Sequence, residues 1–390
     1  MRKINLTIQL LITLLMFSSN FLVGQETSMN ILWDKEHNVP VAYATITSAG
    51  KNFISNENGM FSFQKTNSKI IIKSIGYETS EVDYDILKLK DTIYINSLTY
   101  KLDEVVISKN GLYKEMLKKI LTDYVLEAHK ERFFLRAVLR KNNELYKIVD
   151  LAGIVEKQAL FDLSSKSMPK KNYKVQLEHL RKIGLENREI DYRMFGFKEF
   201  FTNCMTVGFN IEKFNTRYET TLDKGTSKLI LSPKDKAESI SAFFIVDEDN
   251  TFKEIDVQYN NTNGELKPIK KSQYKTSKSN WKVNFERNEV TNKYQLSKAI
   301  LKATTEVYKG QIKDIFECSY IYVSIPVNNI EKITNNINLE KDIFDLEVDY
   351  NLEYWKNNEI LKLTSEIQEF INKVNSSGKN SNFRTKSNIK

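Results

Sequence analysis

Three histidines, His37, His129 and His179, are the side chains best suited to move protons or bind a transition metal near neutral pH. They lie far apart along the chain. None belongs to a His-Glu-x-x-His pattern, and none stands at ligand spacing from a cysteine, so no metal ligands are assigned. Glu36-His37 falls in a turn-rich stretch and reads as solvated. The chain has no Gly-x-Ser-x-Gly run, which excludes one common serine-hydrolase arrangement, and no glycine-rich phosphate loop. Carboxylates are numerous enough to supply the paired acids of a glycosidase. Their densest cluster, Asp247-Glu248-Asp249, lies between two strand patterns and reads as a solvated hairpin turn, with a cation site as the alternative. Trp33, Trp281 and Trp355 would stack on a glycan if exposed. Trp281, however, alternates with Val283 and Phe285, as a core residue does, and Trp355 precedes the last helix, which it would pin. No catalytic, cofactor-binding or metal-binding residue is assigned from these patterns, and no cofactor is expected.

Cys204 and Cys318 are the only cysteines. In an oxidising compartment they could form a disulfide, which would stabilise the fold by roughly 4–5 kcal/mol in the chain-entropy model. The alternative is two buried thiols acting as small hydrophobes. The compartment itself is read from residues 1–24. Arg2 and Lys3 precede an apolar run from Leu10 to Val23, and small Gly24 precedes polar Gln25-Glu26-Thr27-Ser28. That is the layout of a cleavable signal peptide, so an exported, periplasmic or outer-membrane-associated protein is expected. The run is too short and interrupted for a spanning helix, and no second one follows, so no transmembrane span is expected in the mature chain. No Cys follows the run to carry a lipid anchor.

The formal charge of +8 falls to +6 when Arg2 and Lys3 leave with the signal. Both signs are interspersed, as on an ordinary charged surface. The export signal disfavours nucleic acid as a partner. The partners expected are an envelope protein, a lipid or a glycan.

The elements that must position these residues begin with short strands. Val41–Ile46 with Pro40 before it, Met60–Phe63, Ile70–Ile72, Thr92–Ile95 and Val105–Ile107 are separated by turns such as Asn56-Glu57-Asn58-Gly59. This reads as a small β-sandwich over residues 30–108. From Gly111 the period becomes helical, with Leu112, Met116, Ile120 and Tyr124 on one face and Asn110 as N-cap. Strands then return. Phe133–Arg140 and Leu145–Val149 flank a Lys141-Asn142-Asn143-Glu144 hairpin turn; Tyr173–Arg193 is charged and ambiguous; Met194–Met205 is aromatic-rich and reads as helix. Many later strands alternate apolar with polar, as sheets with one buried face do. Ser365–Val374 closes the domain as a helix, with Ser365 and Gln368 as a capping box. Residues 376–390 form a basic tail expected to be disordered.

The ordered motifs Pro40-Val41-Ala42-Tyr43-Ala44-Thr45-Ile46, Asn56-Glu57-Asn58-Gly59-Met60-Phe61, Ser74-Ile75-Gly76-Tyr77 and Leu102-Asp103-Glu104-Val105-Val106-Ile107 resemble the carboxypeptidase regulatory-like (transthyretin-like) domain. That resemblance implies an accessory sandwich of the Bacteroidetes cell envelope, without peptidase residues, that packs and docks. The chain departs from the family pattern in lacking the leading Gly and in having Ser55-Asn56 where Thr-Asp is usual. Residues 111–375 resemble an uncharacterised envelope domain that follows such sandwiches. The resemblance is carried by Phe134–Arg140, by Ile245-Val246-Asp247-Glu248 with Phe252–Ile255, and by Tyr354–Thr364.

The fold expected is therefore mainly β with some α. A small N-terminal β-sandwich is followed by an antiparallel-sheet domain, in half-barrel form as one option, with flanking helices. The function expected is non-catalytic binding or docking in the envelope. A glycan or peptide hydrolase with an unlocated carboxylate site, and a half-barrel lipid or lipoprotein carrier, remain alternatives.

Overall fold

The structure, a computed structural model, describes residues 27–98, 111–157, 173–186, 192–204, 211–220, 226–235, 239–261, 264–269, 271–288, 291–326, 332–358, 360–376 and 384–389. The signal segment 1–24, the Leu102–Ile107 motif and the Asn110 cap lie outside them. The chain divides into two compact units. One is built on residues up to Ser97, joined by residues 360–364. The other takes the rest from Leu98.

The small unit is a sandwich of two sheets. In the first, β1 (Thr27–Asp34) pairs with β2 (Val39–Pro40), β5 (Met60–Gln64) and, in parallel, β8 (Thr92–Ile95). The second has the order β4 (Lys51–Ile54), β3 (Thr45–Ser48), β6 (Ile70–Lys73), β7 (Ser80–Val82), and the short helix α1 (Tyr84–Leu87) follows. Leu32, Phe61, Phe63 and Ile93 from one sheet meet Ile46, Phe53, Ile70 and Ile72 from the other in one core. Gly59 has φ 74°, and a Cβ there would lie 2.4 Å from the Leu32 carbonyl oxygen, so the turn at Asn56–Gly59 needs glycine.

The strand expected over Val41–Ile46 is broken. Tyr43 has φ 62°, and the Ser55 hydroxyl accepts from Ala44 N while donating to Val41 O. Those backbone groups are satisfied by a side chain, so the segment bows out of the ladder and pairing resumes only at Thr45. Residues 360–364 also complete this unit. Ile54 N donates to Ile360 O at 2.7 Å, and buried Leu361 bridges Ile54 in parallel.

The large unit opens with helix α2 (Gly111–Asp123), which buries Tyr113, Met116 and Ile120. Three long strands follow: β9 (His129–Lys141), β10 (Glu144–Lys157) and β11 (Tyr173–Glu186). Asn142 and Asn143 both have positive φ, as the tight β9–β10 hairpin requires. Next come helix α3 (Phe197–Cys204), then β12 (Phe214–Thr220), β13 (Ser227–Pro233), β14 (Ile240–Val246), β15 (Phe252–Asn260), β16 (Lys267–Ile269), β17 (Ser272–Arg287), β18 (Tyr294–Lys309) and β19 (Ile312–Pro326). Helices α4 (Leu352–Asn357) and α5 (Ser365–Ser376) and strand β20 (Arg384–Ser387) end the chain. The sheet order is β12-β13-β14-β15-β17-β18-β19-β9-β10-β11-β20, with β16 on β17, and every pairing is antiparallel. It is an open sheet with β12 and β20 at its edges, not a closed barrel.

One face of this sheet carries the main core. Leu135, Leu151, Leu229, Phe244, Val283 and Tyr320 pack with the inward residues of α2 and α3. The opposite face over β9–β11 is covered by α4 and α5. Trp355 meets Phe134 edge-on, and Arg140 pairs with Glu366. Between them a buried ion triad forms, in which Asp150 accepts from Arg136 Nε at 2.8 Å and from Arg181 Nε at 3.0 Å. Burial pushes the Asp150 carboxyl up, but the two guanidiniums outweigh it and hold it below the usual carboxylate range.

Two expectations about chain ends are corrected. Gln368 does not cap α5; its amide donates to Asn372 instead. The basic tail supplies β20, which pairs Arg384–Ser387 with Ile183–Glu186. Asn388 anchors it by accepting from Lys182 N and donating to Leu180 O and Val348 O. An edge strand with unpaired backbone groups orders a sequence that has too few apolar residues to order itself.

Candidate docking face

Strand β1 presents apolar side chains on its outer face. In a sandwich strand, the polar residues normally face water and the apolar ones face the core. Here the phase is inverted. Asn30, Leu32 and Asp34 point inward and are all but completely buried, while Met29, Ile31 and Trp33 point outward. Pairing extends the face. Ile31 lies opposite Met60 on β5, and Trp33 lies beside Tyr94 on β8. Met29 is 56% exposed and Tyr94 61%. Ile31, Trp33 and Met60 are half-buried.

The inversion is stable because each buried polar group is satisfied. The Asn30 amide donates to Leu87 O at 2.9 Å and also to Lys90 O, tying down the α1 turn. The Asp34 carboxylate accepts from Glu36 N, His37 N, His37 Nδ1 and the Tyr77 hydroxyl, each at 2.8–2.9 Å. Burial pushes the Asp34 carboxyl up, but these hydrogen bonds carry it down to about 2. The same contacts raise His37, first by the hydrogen bond to Asp34 and then by its charge. The 35–38 turn so fixed ends at Asn38, whose side-chain oxygen accepts from Trp33 Nε1 at 3.1 Å. The indole on the outer face is held by a network that begins inside the core.

The other residues singled out by type fall elsewhere. His129 Nδ1 donates to the Glu127 carbonyl, and burial, followed by the Lys157 charge, lowers the His129 imidazole. His179 lies stacked 3.6 Å from the Tyr354 ring and is lowered by burial. The histidines are not brought together, and among the described residues no three His, Cys, Asp or Glu side chains group as metal ligands would. Asp247-Glu248-Asp249 is a hairpin turn. Asp247 N donates to Thr251 O, Asp247 accepts from the Tyr294 hydroxyl, and Asp249 pairs with Arg287. Trp281 is half-buried against the main core, and Trp355 is the buried residue of α4, with Arg181 over its ring at 4.7 Å. Cys204 and Cys318 are both buried free thiols, and burial pushes each up to about 12.

A second buried polar group lies on the core side. Glu131 accepts from Lys157 Nζ and from the Tyr322 hydroxyl. The Lys157 ammonium sits 5.1 Å from the Phe201 and Tyr322 rings. This arrangement neutralises a carboxylate within an aromatic cage and ties β9, β10 and β19 together at one end.

Of the outer face, only Trp33 was marked by residue type as a surface aromatic. Met29, Ile31, Met60 and Tyr94 escaped because strand patterning assigns apolar residues inward by default. Asn30 and Asp34 at alternate positions were the available signal. Among the described residues no helix is long and apolar enough to cross a membrane. Compared with known proteins, the chain matches no family model and no curated protein sequence.

Proposed function

We propose that the protein is an exported docking component of the cell envelope, and that the small sandwich engages its partner through the outer face of β1, β5 and β8. The observation that carries this reading is the inverted strand β1. Burying Asn30 and Asp34 while presenting Met29, Ile31 and Trp33 runs against the hydrophobic effect unless that face is covered in use. The distribution of exposed apolar residues supports it. Six of the eleven large hydrophobics that stand exposed among the described residues belong to the small unit, including Leu89 at 81%. The resemblance to carboxypeptidase regulatory-like sandwiches and the signal-like residues 1–24 supply the envelope setting. The main sheet supports a non-carrier role, since its inward side chains pack against α2 and α3.

Site-specific photo-crosslinking tests the reading. A photoreactive residue at position 94 in cells should give one dominant protein adduct in the envelope fraction. Met29→Lys should abolish that adduct without changing the folded spectrum. A protein that stays in the cytoplasm, or an adduct pattern indifferent to Met29→Lys, would overturn it.

A further inference from the structure

At one end of the large unit three segments enclose an open cavity of about 410 Å³. They are the last turn of α2, the turn between β14 and β15, and the loop between β17 and β18. Two buried tyrosines bolt them together from below. Tyr124 bridges to Tyr294 and donates to Phe252 O, while Tyr294 donates to Asp247 in the turn. Val125 N adds a bond to Tyr294 O at 3.0 Å. The walls are thus fixed by the core.

The lining is polar throughout. Lys119, Arg287 and Lys293 supply three positive charges against the carboxylates of Asp123 and Asp249. Both carboxylates are already engaged. Asp249 accepts from Thr251 N and Oγ1 and pairs with Arg287 at 3.1 Å, and Asp123 lies 3.5 Å from Lys119. Arg287 is held further by Asn292 Oδ1 at 3.4 Å and lies over the Tyr294 ring at 4.9 Å. Lys293 is only loosely held, 3.9 Å from Glu127, which is itself 87% exposed. The lining itself therefore holds one more cation than carboxylate, since Glu127 lies outside it, with Thr122, Thr291 and Asn292 supplying hydroxyl and amide groups beside the cations.

The volume lies within the range of small-molecule pockets, about 300–1,000 Å³, but such pockets are mostly apolar and this one is not. That excludes an acyl chain or other greasy ligand. We infer that this cavity binds a hydroxyl-rich oxyanion, a sugar bearing a carboxylate or a phosphate. The oxyanion would meet Lys293 and Lys119, with Arg287 behind them, and the hydroxyls would meet the Thr and Asn side chains. This site is separate from the docking face and does not depend on it.

Calorimetric titration of the full-length protein at low salt with glucuronate, glucose 6-phosphate, glucose and inorganic phosphate tests the inference. At least one acidic sugar should bind saturably, and glucose should not. Lys119→Ala with Lys293→Ala should weaken that binding tenfold or more with an unchanged folded spectrum, and Lys293→Glu alone should also weaken it. Whichever acidic sugar binds tighter identifies the oxyanion. The inference fails if neither acidic sugar gives saturable heat at millimolar concentration, if glucose binds as tightly, if inorganic phosphate matches glucose 6-phosphate, or if the variants bind as the parent does.

Discussion

Asp34 and His37 are joined at 2.9 Å across the boundary between core and solvent, the carboxylate 1% exposed and the imidazole 62%. Each shifts the other toward its charged form. His37 is raised above 6.5, so its contribution is complete below 6.5 and is lost as the pH rises through the folded value. Asp34 is lowered to about 2, so its contribution is present above 3.8 and is lost as the pH falls through about 2. The small unit should be most stable between those two limits. An NMR titration should place the His37 midpoint above 6.5, and Asp34→Asn should return it toward 6.5. A midpoint at or below 6.5 in the parent protein would refute the pairing.

The ion triad under α4 should be strongly non-additive. Asp150→Ala leaves two guanidiniums without their shared carboxylate, one of them fully buried, at a cost of about 3–5 kcal/mol. Replacing Arg136 and Asp150 together with apolar residues should cost clearly less than Asp150→Ala alone. Urea unfolding of the parent and the two variants decides it, and a double variant that loses as much as Asp150→Ala or more would show that the charges do not act as a unit. The Asp150 contribution should also fade as the pH falls below 3.8, because its folded value is depressed.

Cys204 and Cys318 should be silent toward a thiol reagent at pH 8 in the native protein, since both are buried with thiols raised to about 12. Under denaturant both should react. Detection of no free thiol after unfolding would mean a disulfide and would contradict the structure.

Leu361→Ala should lower the stability of the small unit even though the residue lies more than 260 positions after that unit's last strand. Truncating a buried leucine typically costs about 2–5 kcal/mol. Tryptophan fluorescence of Trp33 would follow it in a background where Trp281 and Trp355 are replaced by Phe. An unchanged melting curve would show that residues 360–364 merely pass by.

How much of this could be read beforehand varies with how local the cause is. The hairpin at Asn142-Asn143, the glycine at 59 and the start of α2 follow from turn chemistry and a change of period, and the structure has them where the residues placed them. Strand β11 was obscured because a bulge opposite Ala152 and Gly153 shifts its phase. Leu177 and Leu180 face the same core three positions apart, so the alternation fails just where it would be read. The bow at Val41–Ala44 depends on Ser55, and the ordering of the tail depends on the edge of β11; neither partner is visible locally. The phase of β1 was hidden most completely. It is set by carbonyls at Leu87 and Lys90 and by Tyr77, groups that folding alone brings to Asn30 and Asp34.

Because residues 360–364 leave the large unit, join the small one through an isolated bridge at Leu361 and return, the backbone passes between the two units three times. One proteolytic nick between them cannot free either piece. With the chain cut after Ser97, the sandwich would still hold residues 360–364, joined at both ends to the large unit, through the Ile54–Ile360 hydrogen bond and buried Leu361.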